Sequence, residues 1–198
     1  MNDTLRYFSK DMLYRHYHQN ELTFGLLYAF SEHFQLVLSH DEVVHGKGSL
    51  IGKMPGDDWQ RFANLRLLYS YMICQPGKKL IFMGGEIAQF DEWSCTSEIQ
   101  WGLLQYETHQ GVQKMVKELN HLYLKNAPLF ENDFNSEGFQ WVDFSDSKNS
   151  IISYLRKSND AVLLCVHNFT PEYHAEYRLP LQSVKSLTEI FNSDAKEY

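Results

Sequence analysis

Two short apolar runs, Phe34-Gln35-Leu36-Val37-Leu38 and Lys79-Leu80-Ile81-Phe82-Met83, constrain the fold of this chain more than any other feature. Each has the length of a strand, and a helical stretch separates them. Asp57 is placed to cap that helix, with Gln60 three residues on as its capping-box partner. Phe62, Leu65, Tyr69 and Met72 recur on one face, and Pro76-Gly77 ends the helix. The second run closes on Gly84-Gly85 and leads, through a loop with Trp93 and Trp101, to another helix. Its stripe is Val112, Met115, Val116, Leu119 and Leu122, and Pro128 marks its end. Strand, helix, strand, helix is an α/β pattern with parallel strands, each expected to be buried on both faces.

On either side the texture differs. Residues 1–33 read as a helical, aromatic-rich segment in which Leu22, Leu26 and Phe30 recur at helical spacing. From about Gly138, FQWVDF, SIISYLRK, AVLLCVHNF and HAEYRL are short strand candidates separated by polar turns, which predicts a separate all-β domain. A net charge of −7 argues against nucleic acid or an anionic membrane as the main partner. No apolar run approaches the roughly 20 residues of a membrane span. MNDTLRYFSK lacks the apolar stretch of a secretory signal. Cys74, Cys95 and Cys165 are widely spaced without a C-x-x-C pattern, so free thiols in a reducing cytoplasm are expected. The Asn168-Phe169-Thr170 sequon, followed by Pro171, is read as chance.

The chemistry-bearing stretch is Ser39-His40-Asp41-Glu42-Val43-Val44-His45-Gly46-Lys47, directly after the first strand. A zinc-protease helix needs histidines at i and i+4, whereas His40 and His45 are five apart, about 140° round a helix. Gly48-Ser49-Leu50-Ile51-Gly52-Lys53 has one residue too few for a phosphate loop, and Met54 stands where Ser or Thr would bind magnesium. Gly46, Gly48 and Gly52 miss the dinucleotide spacing by one, so a tight surface loop is the better reading. His40-Asp41-Glu42 is either a solvated loop with an N-terminal cap for the next helix or part of a site. Two observations favour a site: it sits at the carboxyl end of one strand, and Glu86 follows the end of the next. Acids delivered to one edge by neighbouring strands are the pattern of a barrel active site. Trp93, beside Asp91 and Glu92, is the candidate wall, because flat aromatic faces suit sugar rings. Trp101 is expected to pack in the core.

At these residues a family resemblance emerges. LSHDEVVHGKGSLIGKMPGDDWQRFANLR and KKLIFMGGEIAQFDEW resemble the bacterial-type glycogen branching enzymes of the α-amylase superfamily, and MNDTLRYF, GFQWVDF and HNFTPEYHAEYR extend the likeness over essentially the whole chain. The resemblance implies the last two strand–helix units of a (β/α)8 TIM barrel in residues 1–130, followed by an incomplete C-terminal β-sandwich in residues 131–198. It implies a retaining transfer of an α-1,4-glucan chain to a glucan 6-hydroxyl through a glycosyl-enzyme intermediate. Asp41 is then the acid that stabilises the transition state, and His40 binds the sugar beside it. Glu42, Glu86 and Trp93 are further candidates for substrate contact. No metal and no organic cofactor are implied. The nucleophile and the general acid belong to earlier barrel strands, so the chain is expected to be a carboxyl-side fragment that is inactive alone. Three readings stay open: a fragment of a branching enzyme acting on glycogen or amylose, one half of a two-chain enzyme whose partner carries the first six strands, and a non-catalytic glucan-binding module.

Overall fold

The computed structural model describes residues 1–182 and 184–198. The amino-terminal segment is helical but broken: α1 (Asn2–Phe8), a 3-10 turn (Met12–Tyr17), α2 (Asn20–Thr23) and a second 3-10 turn (Phe24–Leu27). Residues 1–33 are helical in part, but Leu22, Leu26 and Phe30 do not share one helix, and the segment is in pieces. Asp11 starts the first 3-10 turn by accepting a hydrogen bond from the backbone of Leu13 at 2.9 Å, and Gly25 sits in the last one. Pieces this short are not stable alone, so packing holds them. Tyr7, Phe8 and Leu22 are buried. Arg15, also fully buried, donates to the carbonyls of Phe8 and Phe169, both at 2.8 Å, with Tyr7 and Phe8 beside its guanidinium.

Then follows a β–α–β unit. Strands β1 (Gln35–Leu38) and β2 (Lys78–Ile81) pair in parallel, with Leu38 opposite Ile81. Between them runs α3 (Asp58–Cys74), started by the expected capping box between Asp57 and Gln60. Its four stripe residues Phe62, Leu65, Tyr69 and Met72 are all buried. Helix α4 (Glu107–Lys125) packs beside α3 through Val112, Met115, Val116 and Leu119, with Leu122 partly buried. Burial of the strands on both faces does not hold. Gln35 is exposed, and Leu36, Val37 and all four residues of β2 are only partly covered. The two strands pair only with each other among the described residues, so one flank of each lacks a ladder partner.

The carboxyl-side third is an antiparallel sheet, β3 (Phe139–Asp143), β4 (Ile151–Lys157) and β5 (Val162–Asn168), in the order β3-β4-β5, with an irregularity between Trp141 and Asp143. HAEYRL, expected as a fourth strand, is not one: residues 174–179 have no ladder partner, and an unpaired strand leaves its amides and carbonyls unmatched. Instead Tyr177 donates to Asp146 at 2.7 Å. Among the described residues there is a single three-stranded sheet, not two facing ones.

One apolar core joins the two parts, running from Leu65 and Met72 of α3 to Tyr154, Cys165 and Phe169. A buried ionic cluster lies at the same junction. Asp133 takes Arg156 Nη2 at 2.8 Å, Lys78 Nζ at 3.0 Å and Lys79 Nζ at 3.6 Å. Arg156 also donates to the carbonyls of Cys74 at 2.8 Å and Gly138 at 3.3 Å. Burial alone would raise the Asp133 carboxyl, but Lys79, Arg156 and Lys78 outweigh it and hold it below its ordinary value. Burial pulls the Lys79 ammonium down to about 8. Beside this cluster Gln75 donates to the Tyr154 hydroxyl at 2.9 Å, which in turn lies 2.9 Å from His167 Nε2. With its lone pair turned to Gln75, the tyrosine donates to His167, and the imidazole is neutral with its proton on Nδ1.

Candidate active site

Backbone bonding carries the parallel ladder one step past the strands: the Phe82 amide donates to Leu38 O at 2.9 Å. His40 and Phe82 therefore emerge together from the carboxyl edge of β1 and β2. With Trp93 they make a corner of three rings, Phe82 to Trp93 at 5.3 Å and His40 to Trp93 at 6.1 Å, both edge to face, and His40 to Phe82 at 5.8 Å. Asp41 stands beside them with its side chain 72% exposed and Oδ1 at 3.4 Å from His40 Nε2. A cleft adjoining this corner shares Phe82 and Trp93 with it and is lined further by Leu38, Val43, Leu50 and Asp91, but not by His40 or Asp41.

The loop that presents Asp41 is built from tight turns. Ser39 caps a 3-10 turn (His40–Glu42), and the Glu42 carboxylate reaches back to the Ser39 amide at 2.5 Å and its hydroxyl at 2.8 Å. Glu42, expected among the substrate contacts, is thus engaged in holding its own loop. The amides of Val43 and Val44 both return to His40 O at 2.9 Å.

Glu86 lies elsewhere. Strand alternation sends Phe82 to the side of His40 and Ile81 to the opposite side, and Glu86 lines a depression there with Ile73, Lys79, Met83 and Val116. The two strands do deliver acids to one edge, but the structure does not bring Glu86 and Asp41 into one cleft. Trp101 also departs from expectation: it is 54% exposed, in a 3-10 turn (Trp101–Gln105) that covers no core position.

Two features escape a reading of the sequence. Phe82 was counted as a strand residue, yet it is a wall of the corner. Glu92 accepts from the backbone amides of Gly46 at 2.9 Å and Gly48 at 2.5 Å and lies 3.5 Å from His45. Both glycines have positive φ, +81° and +74°, which turns their amides to one side as a cradle for an anion. The Gly48 and Gly46 amides, with a smaller contribution from His45, hold the Glu92 carboxyl below its usual range. The Gly46–Gly48 loop of the sequence reading is therefore a tight turn that cradles a carboxylate of this same chain.

A separate groove of about 340 Å³ runs between α3 and the segment after β5. Exposed rings of Trp59 and Tyr173 flank it, with Asn64, Asn168 and Asp194 between them.

Residues 141–198 match a family model described as the C-terminal all-beta domain of alpha amylase. With the parallel pair before it and the histidine–aspartate at that pair's carboxyl edge, this defines the class as alpha-amylase-like. The likeness to individual proteins is more specific. The chain is 64% identical over 198 residues to the 1,4-alpha-glucan branching enzyme GlgB of Protochlamydia amoebophila, covering all of this chain and 27% of that protein. It is 58% identical to the enzyme of the same name from Aquifex aeolicus and 54% to that of Cellvibrio japonicus, of which it covers 32% and 27%. The chain belongs to the 1,4-alpha-glucan branching enzyme family and spans about a quarter to a third of the length of these relatives.

Proposed function

We propose that this chain supplies the carboxyl-side part of an α-glucan branching site, the site that cuts an α-1,4 chain and moves it to a glucan 6-hydroxyl. The placement of His40 and Asp41 at the carboxyl edge of a parallel strand pair, beside the rings of Phe82 and Trp93, carries this reading. On it, β1-α3-β2-α4 are the last two units of a (β/α)8 barrel, residues 1–130, and residues 131–198 are the all-β domain that buttresses them. Asp41 turns a negative charge toward the oxocarbenium-like transition state. His40 donates to sugar hydroxyls next to it, and Trp93 gives the ring a flat wall. Glu42 acts by fixing the turn that carries Asp41, and Glu86 contributes from the far side of β2. The attacking carboxylate and the proton donor come from barrel strands outside these 198 residues, in the same polypeptide or in a partner chain. The exposed Leu13, Tyr17 and Leu27 of the amino-terminal turns support such a contact, since each leaves a large apolar side chain open.

The test restores the barrel. These 198 residues are joined to the preceding part of the Protochlamydia amoebophila relative, and α-1,6 linkages formed on amylose are counted. Asp41→Asn keeps size and hydrogen-bonding reach but removes the charge, and should lower kcat by about 10²–10³. His40→Ala should weaken the site chiefly through lost hydroxyl contacts. A near-normal kcat in the Asp41→Asn enzyme overturns the assignment. The 198 residues alone should form no α-1,6 linkages above a boiled control.

A second reading, glucan holding without catalysis, draws on the groove between Trp59 and Tyr173, whose rings flank amide and carboxylate groups. Trp59→Ala should then reduce retention of the chain on a glycogen column, and unchanged retention removes this reading.

A further inference from the structure

Asp41 is displayed on a loop, and loops drift unless something fixes them. Glu92 is the far anchor: its two carboxylate oxygens take the amides of Gly46 and Gly48 across 46 and 44 residues of sequence. Its neighbour Trp93 donates its own amide to Val43 O at 2.8 Å. Lys53 reaches the other side of the same turn, donating to the carbonyls of Lys47 and, at 2.6 Å, Gly48. From Asp41 the chain of turns runs through Val44 to Lys47, whose amide donates to Val44 O at 3.0 Å. The dipeptide Glu92-Trp93 thus grips the Asp41 loop at two points while presenting the ring that stands against His40.

We infer that Glu92 is a positioning residue for the branching reaction, locking the loop that carries Asp41 to the Trp93 wall so that acid and ring keep one spacing. The inference rests on the proposed role of Asp41. The alternative job for a carboxylate here, a solvated surface charge, would not need both oxygens on glycine amides that only positive φ turns toward it. Misplacing a catalytic group by about 1 Å can cost on the order of 10²-fold in rate. Only part of the anchoring is lost with Glu92, because the Trp93–Val43 and Ser39–Glu42 bonds remain, so a fall of about 10-fold is expected.

The experiment uses the restored enzyme described above, with the Glu92→Ala, Glu92→Gln and Asp41→Asn variants and the Glu92→Ala, Asp41→Asn pair. Branching kcat, KM for amylose, Tm and amide exchange of the peptide spanning 44–49 are measured. Glu92→Ala should lower kcat about 10-fold with KM and Tm little changed, and exchange at Gly46 and Gly48 should rise. Glu92→Gln, which keeps one acceptor oxygen, should fall between wild type and Glu92→Ala. Because Glu92 acts through Asp41, adding Glu92→Ala to Asp41→Asn should cost less than 2-fold further. A full 10-fold further loss in that background, or a fall in kcat matched by a fall in Tm, would assign Glu92 a general structural role and overturn the inference. So would an unchanged kcat in Glu92→Ala while Asp41→Asn is crippled. If Asp41→Asn itself is near normal, the site assignment has failed instead.

Discussion

Replacing Asp133 by Asn should be among the most damaging single changes in this chain. The carboxylate faces three cations that differ in what they can do without it. Lys78, with 44% of its side chain exposed, turns to water and loses little. Arg156 is fully buried but keeps the carbonyls of Cys74 and Gly138. Lys79, 8% exposed, keeps the carbonyl of Gly77 and the Tyr123 ring but is left facing Arg156 and Lys78 without a counter-charge. Its ammonium, already brought down to about 8 by burial, falls further and sheds its proton near neutral pH. Removing one partner of a buried pair costs about 3–5 kcal/mol. With two carbonyls still on Arg156 and a lysine able to neutralise, the lower end, about 3 kcal/mol, is expected. For a chain of this size that is a fall in Tm of about 6–12 °C. Urea unfolding followed by tryptophan fluorescence, at sub-micromolar concentration, measures the free energy. Adding Lys79→Met to Asp133→Asn should recover about 1–2 kcal/mol, because an apolar side chain of similar length replaces the stranded amine. A loss below about 1 kcal/mol in the single variant, or no recovery in the pair, would refute the argument that this carboxylate holds the junction together.

Acid should act through His167. Burial holds its imidazole down to about 3 from 6.5, so the folded chain keeps it neutral while the unfolded chain takes a proton below about pH 6.5. The associated stability is complete above that pH and declines by about 1.4 kcal/mol per unit as pH falls toward 3. His167→Gln keeps an acceptor for Tyr154 without titrating and should flatten the fall in urea midpoint between about pH 6 and 4; equal slopes would sink the idea. The 198 residues alone should also associate with themselves, since β1 and β2 leave unpaired edges and Leu13, Tyr17 and Leu27 lie in the open. A monodisperse monomer with a sharp thermal transition, seen by light scattering and calorimetry, would count against this.

The parts of the fold that were legible are those specified by near neighbours in sequence. The Asp57–Gln60 box and the stripe of α3 follow from spacing over a few residues, the parallel pairing of β1 and β2 follows from the order of the elements, and His40-Asp41 could be placed because a strand end is itself a local signal. What stayed hidden depends on partners far along the chain. Glu92 finds its acceptor role only because two glycines 44 and 46 residues away turn their amides outward. Asp133 meets Lys78 and Arg156, 55 and 23 residues distant, and nothing in its own surroundings announces three cations. HAEYRL has strand composition but no neighbour to pair with, and the exposure of Trp101 shows that an aromatic side chain is no proof of burial. Glu86 marks the limit of an edge argument: it sits past the strand end in a 3-10 turn (Gly85–Ile87) entered through Gly84 at φ +86°, and spacing along the strand says nothing of the face such a turn presents.

The hold of Arg15 on residues 8 and 169 has a consequence for how the chain comes into being. Its acceptor at Phe169 lies 154 residues downstream, so at about 5–20 residues per second the ribosome delivers it roughly 8–30 s after Arg15 itself. During that interval a guanidinium destined for the interior has one of its three carbonyl partners missing, and the surrounding short turns have no wall to lean on. Within these 198 residues the amino-terminal segment is thus made early and settles late. Nascent chains halted before Phe169 should be cut by trypsin at Arg15, and those halted well beyond it should resist. Equal cutting at both lengths would mean that the segment closes without its distant carbonyl.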